Sequence, residues 1–209
     1  MVRLILTLVA LCFFSVVVST CAKSSDNPTD VNDELGSVSA AMHDSARVLP
    51  QGRTRQWPTD SMAYDGTLSG SAEVHVYSAS EGWVSLHAPV DVSFEIFCLE
   101  DATITADAQV PVGTYTAVRL TLRGFVANIV GGGTVDGVVL PEAKVITLGG
   151  AGGEIVIEKS VTPFEVTETS DTHLVFDLNT DTWIDVDVAN AGTIGAAQVQ
   201  AGTVVYVRS

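Results

Sequence analysis

Between Thr114 and Arg123 the chain alternates without a break. Thr116, Val118, Leu120 and Leu122 fall on one side, and Tyr115, Ala117, Arg119, Thr121 and Arg123 on the other. A period of two sends successive side chains to opposite faces of a pleated strand, so one face is set for burial and the other for water. Immediately upstream, Pro111 fixes φ and Gly113 tolerates positive φ, so Pro111-Val112-Gly113 reads as a tight turn into the strand. Tyr115, two residues past the turn glycine, is placed to hydrogen-bond back across the turn and lock it. Gly113, Tyr115 and Arg119 are therefore expected to be structural residues.

The same rhythm recurs from residue 66 onward. Ala72, Val74 and Val76 oppose Glu73, His75 and Tyr77, and a short strand Trp83 to Leu86 follows the turn Ser80-Glu81-Gly82. Val90 to Cys98 alternates with Asp91, Ser93 and Glu95 on its wet side. Further short runs cover Ala102–Val110, Phe125–Val130, Val135–Leu140, Lys144–Leu148, Glu154–Glu158, Thr162–Thr167, His173–Leu178, Trp183–Val188 and Thr203–Val207. No stripe of 3.6-residue period reaches helical length. Short strands with turn signals every ~8–12 residues predict an all-β antiparallel sandwich over 66–209 rather than a βαβ fold. There is no membrane-barrel signature, since the runs are too short and aromatic girdles are missing.

The amino terminus has a different character. Arg3 precedes an apolar run from Leu4 to Val18, which predicts a secretory leader over 1–20. Val18-Ser19-Thr20-Cys21 resembles the lipobox of bacterial lipoproteins, with Thr20 where that family carries glycine, alanine or serine. The resemblance implies acylation of Cys21, membrane attachment through lipid, and, with Ala22 next in the chain, sorting to the outer membrane. Ordinary cleavage after Ser19 or Ala22, giving a secreted protein, is the alternative. Ala22 to Glu34 is polar, acidic and turn-rich, as a tether would be. Residues 35–65 are expected to be a poorly ordered extension, either continuing the tether or lying on the domain, with a weak helical turn or two between Val38 and Val48. Arg47, Arg53 and Arg55 read as part of a solvated linker.

Charge and cysteine content narrow the function classes. There are 25 acidic against 10 basic residues and a net charge of −15, which disfavours nucleic acid and anionic headgroups as partners. Cys12 and Cys21 belong to the leader and its end, leaving Cys98 in the body as a buried thiol on an apolar face, so no disulfide framework is available.

Motifs for chemistry are sparse. Asp177, Asn179, Asp181 and Asp185 match the spacing of a calcium loop, but Thr182 replaces its turn glycine and Val188 its closing acid. Strand periodicity explains the same acids, with Asp185 and Asp187 beside Trp183 on a wet face. Trp83 and Trp183 are the candidate platforms for sugar rings, against ordinary packing. Ser69-Gly70 is not a nucleophile elbow, His43, His75, His87 and His173 are dispersed, and glycine clusters 131–133 and 149–153 lack the lysine and helix of a phosphate loop.

Pro111-Val112-Gly113-Thr114-Tyr115-Thr116-Ala117-Val118-Arg119-Leu120, with Gly82-Trp83-Val84-Ser85-Leu86 and Val90-Asp91-Val92 upstream and Leu174-Val175-Phe176-Asp177-Leu178-Asn179 downstream, resembles a domain family of unassigned function in bacterial envelope lipoproteins. That family is similar to prealbumin-like and carbohydrate-binding-like sandwiches and carries no catalytic residues over. The expectation is a surface-anchored, non-catalytic sandwich of structural or interaction role. A glycan- or calcium-binding module, with a polysaccharide partner, is the second reading. An envelope hydrolase is the third.

Overall fold

The computed structural model describes residues 34–45, 65–97, 100–135, 137–150 and 153–208. The leader, Cys12, Cys21, most of the tether, Arg47, Arg53, Arg55, Trp57 and Cys98 lie outside the described residues. The fold is all-β and sandwich-like, with no closed barrel.

Its strands are β1 (Leu35–His43), β2 (Gly66–Ser78), β3 (Gly82–Ser85), β4 (Val90–Glu95), β5 (Ala102–Pro111), β6 (Gly113–Ile129), β7 (Thr134–Val135), β8 (Val138–Val139), β9 (Lys144–Leu148), β10 (Glu154–Val166), β11 (Asp171–Asp177), β12 (Thr193–Ile194) and β13 (Val204–Arg208). Two short helices, α1 (Val186–Ala191) and α2 (Ala196–Gly202), flank β12. The smaller sheet has the order β13-β11-β1-β5. In the larger sheet β6 and β2 pair along most of their length. β10 and β9 share the outer edge of β6, and β4 and β3 share that of β2. Alternate residues of both sheets, such as Val74, Leu120 and Ile157 from one and Val38, Met42, Leu174 and Phe176 from the other, are fully buried in one core.

The central strand of the larger sheet departs from the expected pattern twice. Phe125–Val130 is not a separate strand; it continues β6 through Gly124, whose φ of +60° only glycine adopts cheaply. The extra residue switches the buried face from Val118, Leu120 and Leu122 to Phe125, Ala127 and Ile129, as a bulge does. A second irregularity falls between Ala117 and Tyr115, so Thr116 is exposed and Tyr115 is turned into the core. There its hydroxyl donates to the Pro111 carbonyl at 2.8 Å and its ring stacks on Phe164, with centroids 5.7 Å apart. The expected turn lock is present, with Gly113 at φ +155°.

Three expectations are corrected. Residues 35–43 do not extend a tether or form helical turns; they supply an interior strand, because Val38, Ala40 and Met42 find a core that local sequence does not announce. The sandwich is antiparallel except where β1 pairs β11 and β12 pairs β9 in parallel, so it is not uniformly antiparallel. Trp183–Val188 is not a strand. A 3-10 turn at Thr180–Thr182 leads into α1, whose N-cap Asp185 accepts the Val188 N–H at 2.7 Å and whose C-cap is Gly192 at φ +69°. An aspartate cap and a terminal glycine are helix signals, and they outweigh the short alternation of valines. No helix among the described residues is long and apolar enough to cross a membrane.

Candidate functional site

Polar groups gather where β1 and β11 end side by side. Their parallel register sets His43 opposite Asp177 and Ser39 opposite His173, and the chain turns away at Asp44. Asp44 is fully buried. Its Oδ1 accepts the Thr180 N–H at 2.7 Å, and its Oδ2 accepts the Thr180 hydroxyl at 2.6 Å and the Phe97 N–H at 2.8 Å. Phe97 sits at φ +60°, so this carboxyl ties down a strained turn as well as the loop after β11. Burial raises the Asp44 carboxyl, the hydrogen bonds from Thr180 and Phe97 pull it back, and Asp177 adds repulsion; the balance lies at about 6.

His43 is buried between two acids, with Nδ1 2.7 Å from Asp101 Oδ1 and Nε2 3.9 Å from Asp177 Oδ2. Asp101 is shared, its Oδ2 lying 3.6 Å from both His173 Nε2 and Arg208 Nη1. Burial alone would raise the Asp101 carboxyl, but the hydrogen bond and charge of His43, with Arg208 and His173, hold it below the ordinary value. His173 Nδ1 is 2.7 Å from Ser39 Oγ, completing a serine–histidine–aspartate series that sequence reading missed. The parallel pairing of β1 with β11 brings His43, Ser39, His173 and Asp177 together, the antiparallel pairing of β1 with β5 adds Asp101, and neither pairing has a local signal. The series lacks the setting of a nucleophile: Ser39 lies within an interior strand, whereas activated serines stand on turns beside converging N–H groups.

The wet face of the larger sheet carries a second cluster. Arg119 pairs with Glu158 at 2.8 Å and lays its guanidinium 4.0 Å from the centre of the Trp83 ring. Tyr77 packs at a tilt against the same indole, 5.3 Å between centroids. Arg123 bridges Glu73 at 2.8 Å and Glu154 at 3.0 Å, and these hydrogen bonds raise its already high pKa. His75 beside them is lowered, chiefly by burial, with Glu73 opposing. Trp83 is half-buried with one face occupied by Arg119, so a sugar has only the remainder of the ring.

Trp183 is corrected as a glycan platform. Its ring is buried and Nε1 donates to the Leu178 carbonyl at 2.9 Å, because α1 starts where a wet-faced strand was expected. The calcium-loop residues are also placed otherwise. Asp177 Oδ1 accepts the N–H groups of Ser45 and Asn179, Asn179 is in the left-handed region at φ +51°, and Asp185 caps α1. Carboxylates committed to backbone donors in separate places do not converge on an ion. Among the described residues no group of three or more His, Cys, Asp or Glu side chains is arranged to hold a metal.

One side of the sandwich is built differently. A groove of about 710 Å³ runs between the outer edges of β10 and β13, lined by Lys159–Thr162, Ala201 and Thr203–Arg208. No acid lines it, although the chain has 25. No family model, curated protein or solved structure matches this chain.

Proposed function

We propose that this chain is a bacterial envelope lipoprotein whose β-sandwich serves as a non-catalytic interaction module, held at the outer membrane by acyl groups on Cys21. The anchor is argued from the apolar run Leu4–Val18, the lipobox-like Ser19-Thr20-Cys21 and the acidic, turn-rich stretch that follows. Two lipid signals give firm attachment where one chain gives only marginal binding. The resemblance of Pro111–Leu120 to the envelope lipoprotein family supports the same location, and a secreted domain is the alternative.

One observation carries the interaction role. The titratable clusters are closed on themselves, each carboxylate spent on a strand end, a turn or a neighbouring cation, while the acid-free groove faces a strand edge that no strand among the described residues pairs. The Ser39–His173–Asp101 contacts resemble those of a catalytic series, but Ser39 lies within interior strand β1, away from a turn and from converging N–H donors. The intact mass of the mature protein tests the anchor: acylated Cys21 is expected, and an unmodified mass overturns it. A hydrolase activity abolished by Asp101→Asn, with folding intact, overturns the non-catalytic reading.

The second reading is a glycan-binding module, favoured by the exposed remainder of Trp83 next to Tyr77. A glycan array with calcium titration tests it, and binding lost in Trp83→Ala would establish it over the first.

A further inference from the structure

We infer that the free edge of β13 is the receptor for an extended, acidic segment of a partner protein, which joins the smaller sheet as an added strand. This rests on the interaction reading above and names its surface and ligand chemistry.

β13 is outermost in its sheet and pairs with β11 alone among the described residues. Among the described residues no strand pairs its other edge, which presents a row of backbone N–H and C=O groups suited to pairing with a further strand. Native edges are usually blunted by proline, bulges or inward charges. β10, across the groove, carries Pro163 and a register break between Ser160 and Phe164 in its pairing with β6. β13 has neither, and Val204-Val205-Tyr206-Val207 is uncharged and regular in its pairing with β11.

The groove beside it suits an alternating peptide. Val161, Val205 and Val207 are partly buried and pack against the core, so they form an apolar floor that is not fully covered. Aliphatic side chains at every second position of an added strand would lie over that floor. Five residues of β13 allow a paired length of about 17 Å at ~3.3 Å per residue.

Charge selects the occupant. Lys159 and Arg208 are the charged residues lining the groove. Lys159 Nζ donates to the Gln200 carbonyl at 2.7 Å, which positions the ammonium without neutralising it, and the Arg208 side chain is 56% exposed. Arg208 also lies 3.6 Å from Asp101, so part of its charge is already matched. A segment with carboxylates interleaved among aliphatic residues meets both cations.

The test uses the full chain in mild detergent with the synthetic peptide acetyl-Asp-Val-Glu-Val-Glu-amide, its lysine-for-acid twin, and a form N-methylated at alternate backbone nitrogens. Affinity is read by fluorescence anisotropy and position by hydrogen exchange. The acidic peptide is expected to bind and to slow exchange at Val204–Arg208, with at least tenfold weaker binding for the basic twin and for Lys159→Gln/Arg208→Gln. N-methylation should abolish binding. Failure of the acidic peptide to bind, equal binding of the basic or N-methylated form, or protection confined elsewhere overturns the inference. So does self-association that protects the same amides without peptide, since the edge then belongs to a second copy. An unacylated chain that binds the peptide removes the anchor and keeps this inference; an acylated chain that ignores it does the reverse.

Discussion

Replacing Asp44 by asparagine should change how stability depends on pH, because this buried carboxyl is held to the wrong side of its ordinary range. Its carboxyl titrates near 6 in the folded chain against 3.8 ordinarily, so the folded state keeps the proton where the unfolded state has released it. Stability is therefore highest below the ordinary value and falls as pH rises from about 4 to about 6, flat thereafter. At ~1.36 kcal/mol per pH unit, the fall amounts to about 3 kcal/mol. Asparagine cannot titrate, and its amide nitrogen replaces one oxygen. Thr180 Oγ1 can turn to accept from that nitrogen, but the Phe97 N–H then faces another donor, a loss of about 1–3 kcal/mol. Urea unfolding of both proteins from pH 4 to 7 gives the difference in stability, wild type minus variant. Other titrating groups, including the lowered Asp101 carboxyl, largely cancel in that difference. It should be positive near pH 4 and drop by about 2 kcal/mol by pH 6.5, the rest of the fall lying below pH 4. A difference that stays level, or grows with pH, refutes the argument.

Tyr115→Phe keeps the stacked ring but loses the hydroxyl bond to Pro111; a stability loss of about 1 kcal/mol is expected, and an unchanged melting temperature counts against the turn lock. Gly70→Ala sets a methyl group into the Phe125 ring and 2.7 Å from its Cα, so a loss of about 1–3 kcal/mol is expected by thermal melting, and wild-type stability would show that β2 and β6 can separate there. Calcium should leave the melting temperature unchanged, because Asp177 and Asp185 serve backbone N–H groups in different places; a rise that disappears in Asp181→Ala would restore the ion site.

Alternation determined that this chain is all-β and that Val74 and Leu120 face inward, and the Pro111–Gly113 turn signal placed Tyr115 to close that turn, since each depends on neighbours two to four residues apart. Aspartate at 185 and glycine at 192 carried the signal for α1, though the valines between them read equally well as strand. Tertiary structure decided the rest. Val38, Ala40 and Met42 become an interior strand only because β11, more than a hundred residues later, lies beside them in parallel. That pairing also sets His43 and Ser39 beside His173 and brings Asp44 within reach of Thr180, and the antiparallel pairing of β1 with β5 adds Asp101 to the series. The bulges at Thr116 and Gly124, which reverse the faces of β6, and the open edge of β13 arise the same way. Pairing partners are chosen by the whole sheet, and side-chain period is a property of single strands.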